Sequence, residues 1–277
     1  MHVFTTLAEL RHFRRSLSGT LGLVPTMGYL HTGHLSLAQR AKQDCEHVGV
    51  SIFVNPTQFG PAEDLSKYPR NIARDLALLE SAGVAAVWTP TPEELYPANF
   101  QTWVTVEEVT KPLEGHARPG HFRGVTTIVA KLFNAFTPDK AYFGQKDAQQ
   151  AVVIQQMARD LNFPLEVVVC PTVREADGLA MSSRNAYLTA EERQAATVLH
   201  RALSAAKARY DSGERDADAL RAVLSSTLAH EPLAREEYVS VADPLTLAEL
   251  STVEQRALLS MAVRVGKARL IDNFVIG

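Results

Sequence analysis

Apolar runs of four to seven residues alternate with helix-spaced stripes through the first 170 positions of the chain. The runs at residues 21–24, 48–54, 84–88, 140–143 and 166–170 are rich in valine, isoleucine and aromatic residues, which suits strands buried on both faces. Between them Leu35, Leu37, Ala38 and Ala41 recur with a helical period, as do residues 72–79, 124–136 and 148–161. Ahead of the first strand, Leu7, Leu10, Phe13 and Leu17 make a helical stripe over residues 3–17. The alternation at residues 102–106 (TWVTV) predicts a further strand. Residues 89–99, with Pro90, Pro92 and Pro97, read as an ordered loop, and residues 61–70 and 111–123 as longer polar loops. Strand, helix, strand in repetition predicts an α/β fold, a parallel sheet with crossover helices, with residues 166–170 as its last central strand.

The pattern changes after Asn185. Thr189 followed by Glu192 is a capping-box signature, opening a long alanine-rich helix to about residue 210, and a second helix covers residues 216–230. Residues 237–241, 257–265 and 268–274 then read as strands, the last two joined by a turn at Gly266 and Lys267. Helices followed by antiparallel strands make a smaller C-terminal α+β unit. The boundary is expected near residues 176–186, dividing the chain into 1–180 and 181–277.

Composition narrows the function classes. A 277-residue chain with 46% hydrophobic and 21% charged residues has the makings of a large folded core. Its net charge of -3 and pI near 6.3 argue against a nucleic-acid-binding surface. Cys45 and Cys170 form no C-x-x-C pair, so a reducing compartment is expected and a zinc site or disulfide framework is not. The first fifteen residues lack the apolar core of a signal peptide, and no run approaches the ~20 apolar residues of a membrane span.

The candidate chemistry lies where strands end. In residues 24–34, VPTMGYLHTGH, a strand stops near Pro25 and a helix starts near Gly33, with Gly28 and Gly33 free to approach a ligand closely. Such a helix mouth, with unpaired N–H groups and a positive dipole end, suits phosphate. His31 and His34 stand three apart on one face there, and imidazole can donate a hydrogen bond or carry charge near neutral pH. Residues 143–150, FGQKDAQQ, repeat the arrangement of strand, glycine and polar helix mouth, with Lys146 placed to neutralise a phosphate. Residues 171–184 leave the last strand and end in Met181, Ser182, Ser183 and Arg184, a loop with several donors for a pyrophosphate. No Walker G-x-x-x-x-G-K-[ST] sequence is present, which disfavours a P-loop kinase.

The His31-x-Gly-His34 motif resembles that of the Rossmann-like nucleotidyltransferase superfamily, which includes class I aminoacyl-tRNA synthetases and adenylyltransferases. The Met181-Ser-Ser-Arg184 segment is similar to that superfamily's second signature, a mobile loop closing over the triphosphate. With Phe53-Val-Asn-Pro-Thr-Gln-Phe59, Tyr68-Pro-Arg70, Gly120-His-Phe-Arg-Gly124 and Phe143-Gly-Gln-Lys-Asp147 added, the whole chain resembles the pantoate–β-alanine ligase family. The resemblance implies ATP-dependent formation of pantoyl adenylate from (R)-pantoate, with release of pyrophosphate. Attack by β-alanine then gives pantothenate and AMP. It implies His34, as proton donor, with His31, Lys146 and Arg184 as the catalytic group. ATP would meet Pro25, Thr26, Met27, Gly28, Tyr29, Leu30, His31, Thr32, Gly33 and His34, then Gly144, Gln145, Lys146, Asp147, Val173, Met181, Ser182, Ser183 and Arg184. Gln58 and Gln150 would hold pantoate, with Gln58 also meeting β-alanine, and Asp75 is implied for Mg2+. Gln145 stands where many relatives have glutamate, and Ala148 where an aromatic residue is common. A cytoplasmic homodimer with no nucleic-acid or membrane partner is also implied.

Two alternatives stand beside this reading. One is another adenylyltransferase of the superfamily, acting on a phosphorylated vitamin; the amides Gln58 and Gln150 suit a small hydroxy acid better, and no further basic cluster awaits a substrate phosphate. The other is a catalytically silent nucleotide- or RNA-binding module, which the acidic charge and intact candidate groups disfavour.

Overall fold

The computed structural model describes residues 1–60 and 65–277; the part of the expected polar loop at residues 61–64 lies outside the described residues. The chain divides into two compact units, Met1–Gly144 with Val153–Cys170, and Gln145–Val152 with Pro171–Gly277.

In the first unit the strands are β1 (His2–Phe4), β2 (Leu21–Thr26), β3 (His47–Ile52), β4 (Ala86–Trp88), β5 (Lys140–Gly144) and β6 (Glu166–Cys170). All pair in parallel, in the order β1-β4-β3-β2-β5-β6. The connecting helices are α1 (Leu7–Ser16), α2 (Thr32–Asp44), α3 (Ile72–Ser81), the single turns α4 (Pro92–Leu95) and α5 (Glu114–Ala117), α6 (His121–Phe136) and, from Val153 onward, α7 (Ala148–Asp160), whose start belongs to the second unit. This is the Rossmann-like α/β sheet that the alternating pattern predicts. Apolar side chains cover both faces, one core gathering Leu10, Phe133, Phe136, Ile154 and Met157, the other Leu37, Ala38, Leu79 and Tyr142. The buried Tyr142 hydroxyl stays satisfied by donating to Asp44 Oδ2 at 3.1 Å.

The chain leaves β2 toward β3 on one side, while β5 and β6 occupy the other, so the switch point of the sheet lies between β2 and β5. Ligands of open α/β sheets bind outside the carboxyl ends of strands at such a point. The two strands pair only at Gly22 with Lys140 and Leu23 with Ala141, whereas β2 and β3 pair from Leu21 to Thr26. Pro25 lies beyond the last residue paired to β5, so its missing N–H breaks no bond between those strands.

The second unit holds α8 (Ala190–Ala195), α9 (Val198–Asp211), α10 (Ala217–Ala229) and an antiparallel sheet of β7 (Ala234–Ala242), β8 (Ala257–Val265) and β9 (Ala268–Ile276), in that order. Leu199, Leu203, Leu220 and Leu224 pack on Leu259, Met261 and Val263. This is the expected smaller α+β arrangement.

Several local expectations are corrected. Residues 102–106 form no strand: Val104 N–H donates to Thr127 Oγ1 at 3.0 Å and Val104 C=O accepts from Thr126 Oγ1 at 2.6 Å, so hydroxyls on α6 take the place of a ladder. The stripe at residues 3–17 begins with the edge strand β1, and β6 is an edge rather than a central strand. The alanine-rich helix breaks at Ala196 and Thr197, where Thr197 N–H reaches back only three residues to Gln194 O and its hydroxyl competes for the same carbonyl. The proline-rich loop contains α4, and α6 starts at His121, three residues earlier than its apolar stripe suggests.

The N-terminus of α6 runs against the turn Pro56–Gln58. A Cβ on Gly124 would lie 2.4 Å from Thr57 O, a backbone atom that has nowhere to yield. Gly124→Ala is therefore expected to lower stability by about 1–3 kcal/mol, read as the urea midpoint at unchanged m-value. An unaltered midpoint would contradict this close approach.

Candidate functional site

At the carboxyl end of β2 the backbone turns sharply. Gly28 takes φ +83° and Tyr29 φ +50°, the latter a left-handed conformation that costs a residue with a side chain. Thr26 Oγ1 donates to Ser51 O at 2.7 Å and accepts from Gly28 N–H at 3.2 Å. Below the turn Asp75, on α3 and fully buried, accepts from Tyr29 N–H at 2.7 Å and Leu30 N–H at 2.9 Å. Arg74 Nη1 lies 3.5 Å from the same carboxylate, and its guanidinium stands over the Tyr29 ring, 5.4 Å from the centroid.

His31 is the N-cap of α2 and His34 its third residue, and the two rings form a reciprocal cap. His31 Nδ1 accepts from Gly33 N–H at 3.1 Å, and His34 Nδ1 accepts from His31 N–H at 3.3 Å. Imidazoles thus do what a hydroxyl and a carboxylate do in an ordinary capping box. An Nδ1 that accepts carries no proton, so in each neutral ring the proton sits on Nε2. The centroids lie 4.1 Å apart, with 40° between the planes. Backbone donors thus fix the orientation of both imidazoles at the helix N-terminus, beside its dipole.

The turn after β3 adds a fixed amide. Asn55 Nδ2 donates to Gln58 Oε1 and to Gly124 O, both at 3.1 Å, which leaves the Gln58 amide nitrogen facing Met27 Sδ at 3.1 Å. Met27 and Gln58 are thereby neighbours. Tyr96 donates to Asn55 Oδ1 at 3.0 Å, and burial pushes its phenol above the usual value, keeping it a donor. Gln58 C=O is held by His121 Nδ1 at 2.8 Å and Arg118 Nη2 at 3.3 Å, with Glu114 3.6 Å from Arg118. The sequence reading gave no role to Asn55, Tyr96 or Arg118, although Asn55 stood in the motif of residues 53–59 at a strand end and Arg118 in the loop between Gly115 and Gly120.

Within the second unit, Gln145–Asp147 is a tight helical turn directly after β5, whose last residue is Gly144. Lys146 Nζ lies 3.8 Å from Asp147 Oδ1, and Gln150 follows on the first turn of α7. Val173 and Met181 face each other in a short hairpin, Met181 N–H donating to Val173 O at 3.0 Å. Ser182 caps the turn Ser183–Tyr187, accepting from Arg184 N–H at 3.2 Å. Asn185 Nδ2 ties that turn to Glu175 Oε1 and Ala180 O, both at 3.1 Å. The structure thus gathers residues 25–34, Gln58, Asp75 and Gly144 in the first unit, and Gln145, Lys146, Asp147, Gln150, Val173 and residues 181–184 in the second.

The family profile described as pantoate-beta-alanine ligase matches residues 2–275 of this chain. The chain belongs to that family. It is 61% identical to the pantothenate synthetase of Roseiflexus sp. (strain RS-1) over 276 residues, covering 100% of this chain and 99% of that one. The pantothenate synthetase of Herpetosiphon aurantiacus is also 61% identical, over 277 residues and the whole of both chains. Among solved structures, a pantothenate synthetase from Thermus thermophilus superposes with TM-score 0.95 at 48% identity, over 99% of each chain. A pantoate-beta-alanine ligase from Francisella tularensis, complexed with beta-gamma ATP and beta-alanine, superposes with TM-score 0.82 at 34% identity, over 99% of this chain and 97% of that one.

Asp75, the carboxylate that the family resemblance offers to Mg2+, does not fit as a ligand here. Both of its oxygens accept backbone N–H groups, and the side chain is sealed from solvent. Among the described residues no group of three or more His, Cys, Asp or Glu is placed to hold a metal.

The imidazole cap has a direct signature. Long-range 1H–15N correlation spectra of the free protein above pH 7.5 are expected to show His31 and His34 with protonated Nε2 and bare Nδ1. A protonated Nδ1 on either ring would contradict the cap.

Proposed function

We propose that this chain condenses (R)-pantoate with β-alanine through a pantoyl-adenylate intermediate, consuming ATP and releasing AMP and pyrophosphate. The observation that carries the reading is the doubly capped helix mouth at the switch point, with the oriented Gln58 amide against Met27, in a chain that matches pantoate-β-alanine ligases from end to end. The Francisella ligase is complexed with beta-gamma ATP and beta-alanine, which agrees with two of the three substrates this reaction needs.

The chemistry follows from what these groups can do. A pantoate carboxylate oxygen attacks the α-phosphorus of ATP, and the bond to the β-phosphate oxygen breaks, releasing pyrophosphate. Two anions must approach, and that repulsion is the main barrier. His31 and His34, through Nε2, and the N–H groups of the helix mouth would stabilise phosphate oxygens. Lys146 and Arg184 would supply the full positive charges, with Ser182 and Ser183 donating to the departing pyrophosphate. Gln58 and Gln150 bind pantoate, an amide serving both its carboxylate and its hydroxyls. The β-alanine amine then attacks the acyl carbon and AMP leaves.

In this reading residues 1–180 bind nucleotide and pantoate while residues 181–277 act as a lid, and the protein works as a cytoplasmic homodimer. No helix of the described residues is long and apolar enough to cross a membrane. Mg2+, if carried in with ATP, would add positive charge beside the phosphates, and Asp75 is not placed to hold it.

Isotope exchange between pyrophosphate and ATP is expected to require pantoate but not β-alanine. His34→Ala, Lys146→Ala and Arg184→Ala should each slow it by about 100-fold or more while leaving the circular dichroism unchanged. Exchange that ignores pantoate would point to another adenylyltransferase, and a near-normal rate for Lys146→Ala would contradict its role.

A further inference from the structure

The second unit contains a polar clasp far from any motif in sequence. Asn273 lies on β9 and is 4% exposed. Its Nδ2 donates to Gln145 O and to Lys146 O, both at 2.9 Å, while its Oδ1 accepts from Gln145 Nε2 at 3.1 Å. Both hydrogens of the amide are spent on carbonyls of the lysine turn. The preceding residue grips a different segment. Asp272, with a side chain 1% exposed, takes Arg174 in a two-point pair, Nη1 to Oδ2 at 2.7 Å and Nη2 to Oδ1 at 2.8 Å. Arg174 belongs to the hairpin that leads to Met181 and Arg184, and its Nη1 also donates to Gly178 O at 3.0 Å. Asn273 N–H donates to Asp272 Oδ1 at 2.8 Å, joining the two grips.

We propose that Asn273 and Asp272 are positioning residues that fix the Lys146 turn and the Arg184 hairpin to one strand, so that both cations are presented to the triphosphate as a single preset pair. The inference rests on the proposed adenylation reading and adds residues that touch no substrate. Its physical basis is the geometry of amide donors. The two carbonyls need two donors fixed side by side, which a planar amide supplies and a carboxylate does not. Without them the turn loses two hydrogen bonds to its part-buried carbonyls and the lysine loses its fixed base. Misplacing a charge by about 1 Å can cost ~100-fold in rate.

The test uses the full chain and pantoate-dependent exchange of pyrophosphate into ATP. Asn273→Asp, nearly isosteric, is expected to lower kcat about 10- to 100-fold with a cooperative unfolding transition retained. In a Lys146→Ala background the same substitution should change the rate less than about twofold, because its effect runs through the lysine. Ser260→Ala serves as control: Ser260 faces Asn273 across β8 and β9, its hydroxyl has no partner, and its loss should leave kcat unchanged. If Asn273→Asp loses cooperative unfolding, Arg174→Lys reads the clasp from its other side, with a loss of kcat that disappears in an Arg184→Ala background. A kcat within twofold of wild type for Asn273→Asp, or the same fractional loss with and without Lys146, would overturn the inference; for Arg174→Lys the corresponding results would do so. Absence of pantoate-dependent exchange in the wild type would count instead against the adenylation reading.

Discussion

A carboxylate sealed from solvent governs the first unit. Asp75 is fully buried, and a buried charge persists only where hydrogen bonds replace the lost hydration. Here the replacements are two backbone N–H groups of the β2–α2 turn, so satisfying the anion and shaping the turn are one event. The grip also offsets the cost of Tyr29 at φ +50°. Once that turn is set, His31 falls at the N-cap of α2, His34 folds back on it, and the tautomers of both rings are decided by backbone donors. The orientation of both imidazoles thus traces back to a side chain sealed from solvent.

The two units carry different kinds of polar group. The first holds a helix mouth capped by two imidazoles and a locked amide on Gln58. The second carries the charges, Lys146 and Arg184, each on a short turn held by buried polar side chains. The cations are placed in segments that remain partly exposed, which limits the desolvation cost of their charge. The net charge of -3 is compatible with this division, because the positive groups are local rather than spread over a surface.

What was legible in the sequence was whatever depends on near neighbours. The parallel sheet follows from apolar runs between helical stripes, and His31 with His34 stands out because a strand end, a glycine turn and helical spacing fall within eleven residues. Gln58 and Gln150 were marked only through family resemblance, since an isolated glutamine carries no pattern. The misread stretches fail for tertiary reasons. Residues 102–106 alternate like a strand, yet hydroxyls of Thr126 and Thr127 satisfy Val104 instead. Arg118 and His121 act on the carbonyl of Gln58, and Asn273 acts on carbonyls of Gln145 and Lys146, contacts between a side chain and a distant backbone that no periodicity records.

The central claim is that the buried carboxylate under the turn shapes the helix mouth proposed to take the nucleotide. Calorimetric titration of Asp75→Asn with a non-hydrolysable ATP analogue tests it most directly, with folding checked by circular dichroism. An amide turns one acceptor into a donor facing an N–H group, and the account predicts ~10-fold weaker binding or more, equivalent to ~1.4 kcal/mol, in a folded protein. Wild-type affinity in a folded Asp75→Asn variant would contradict it.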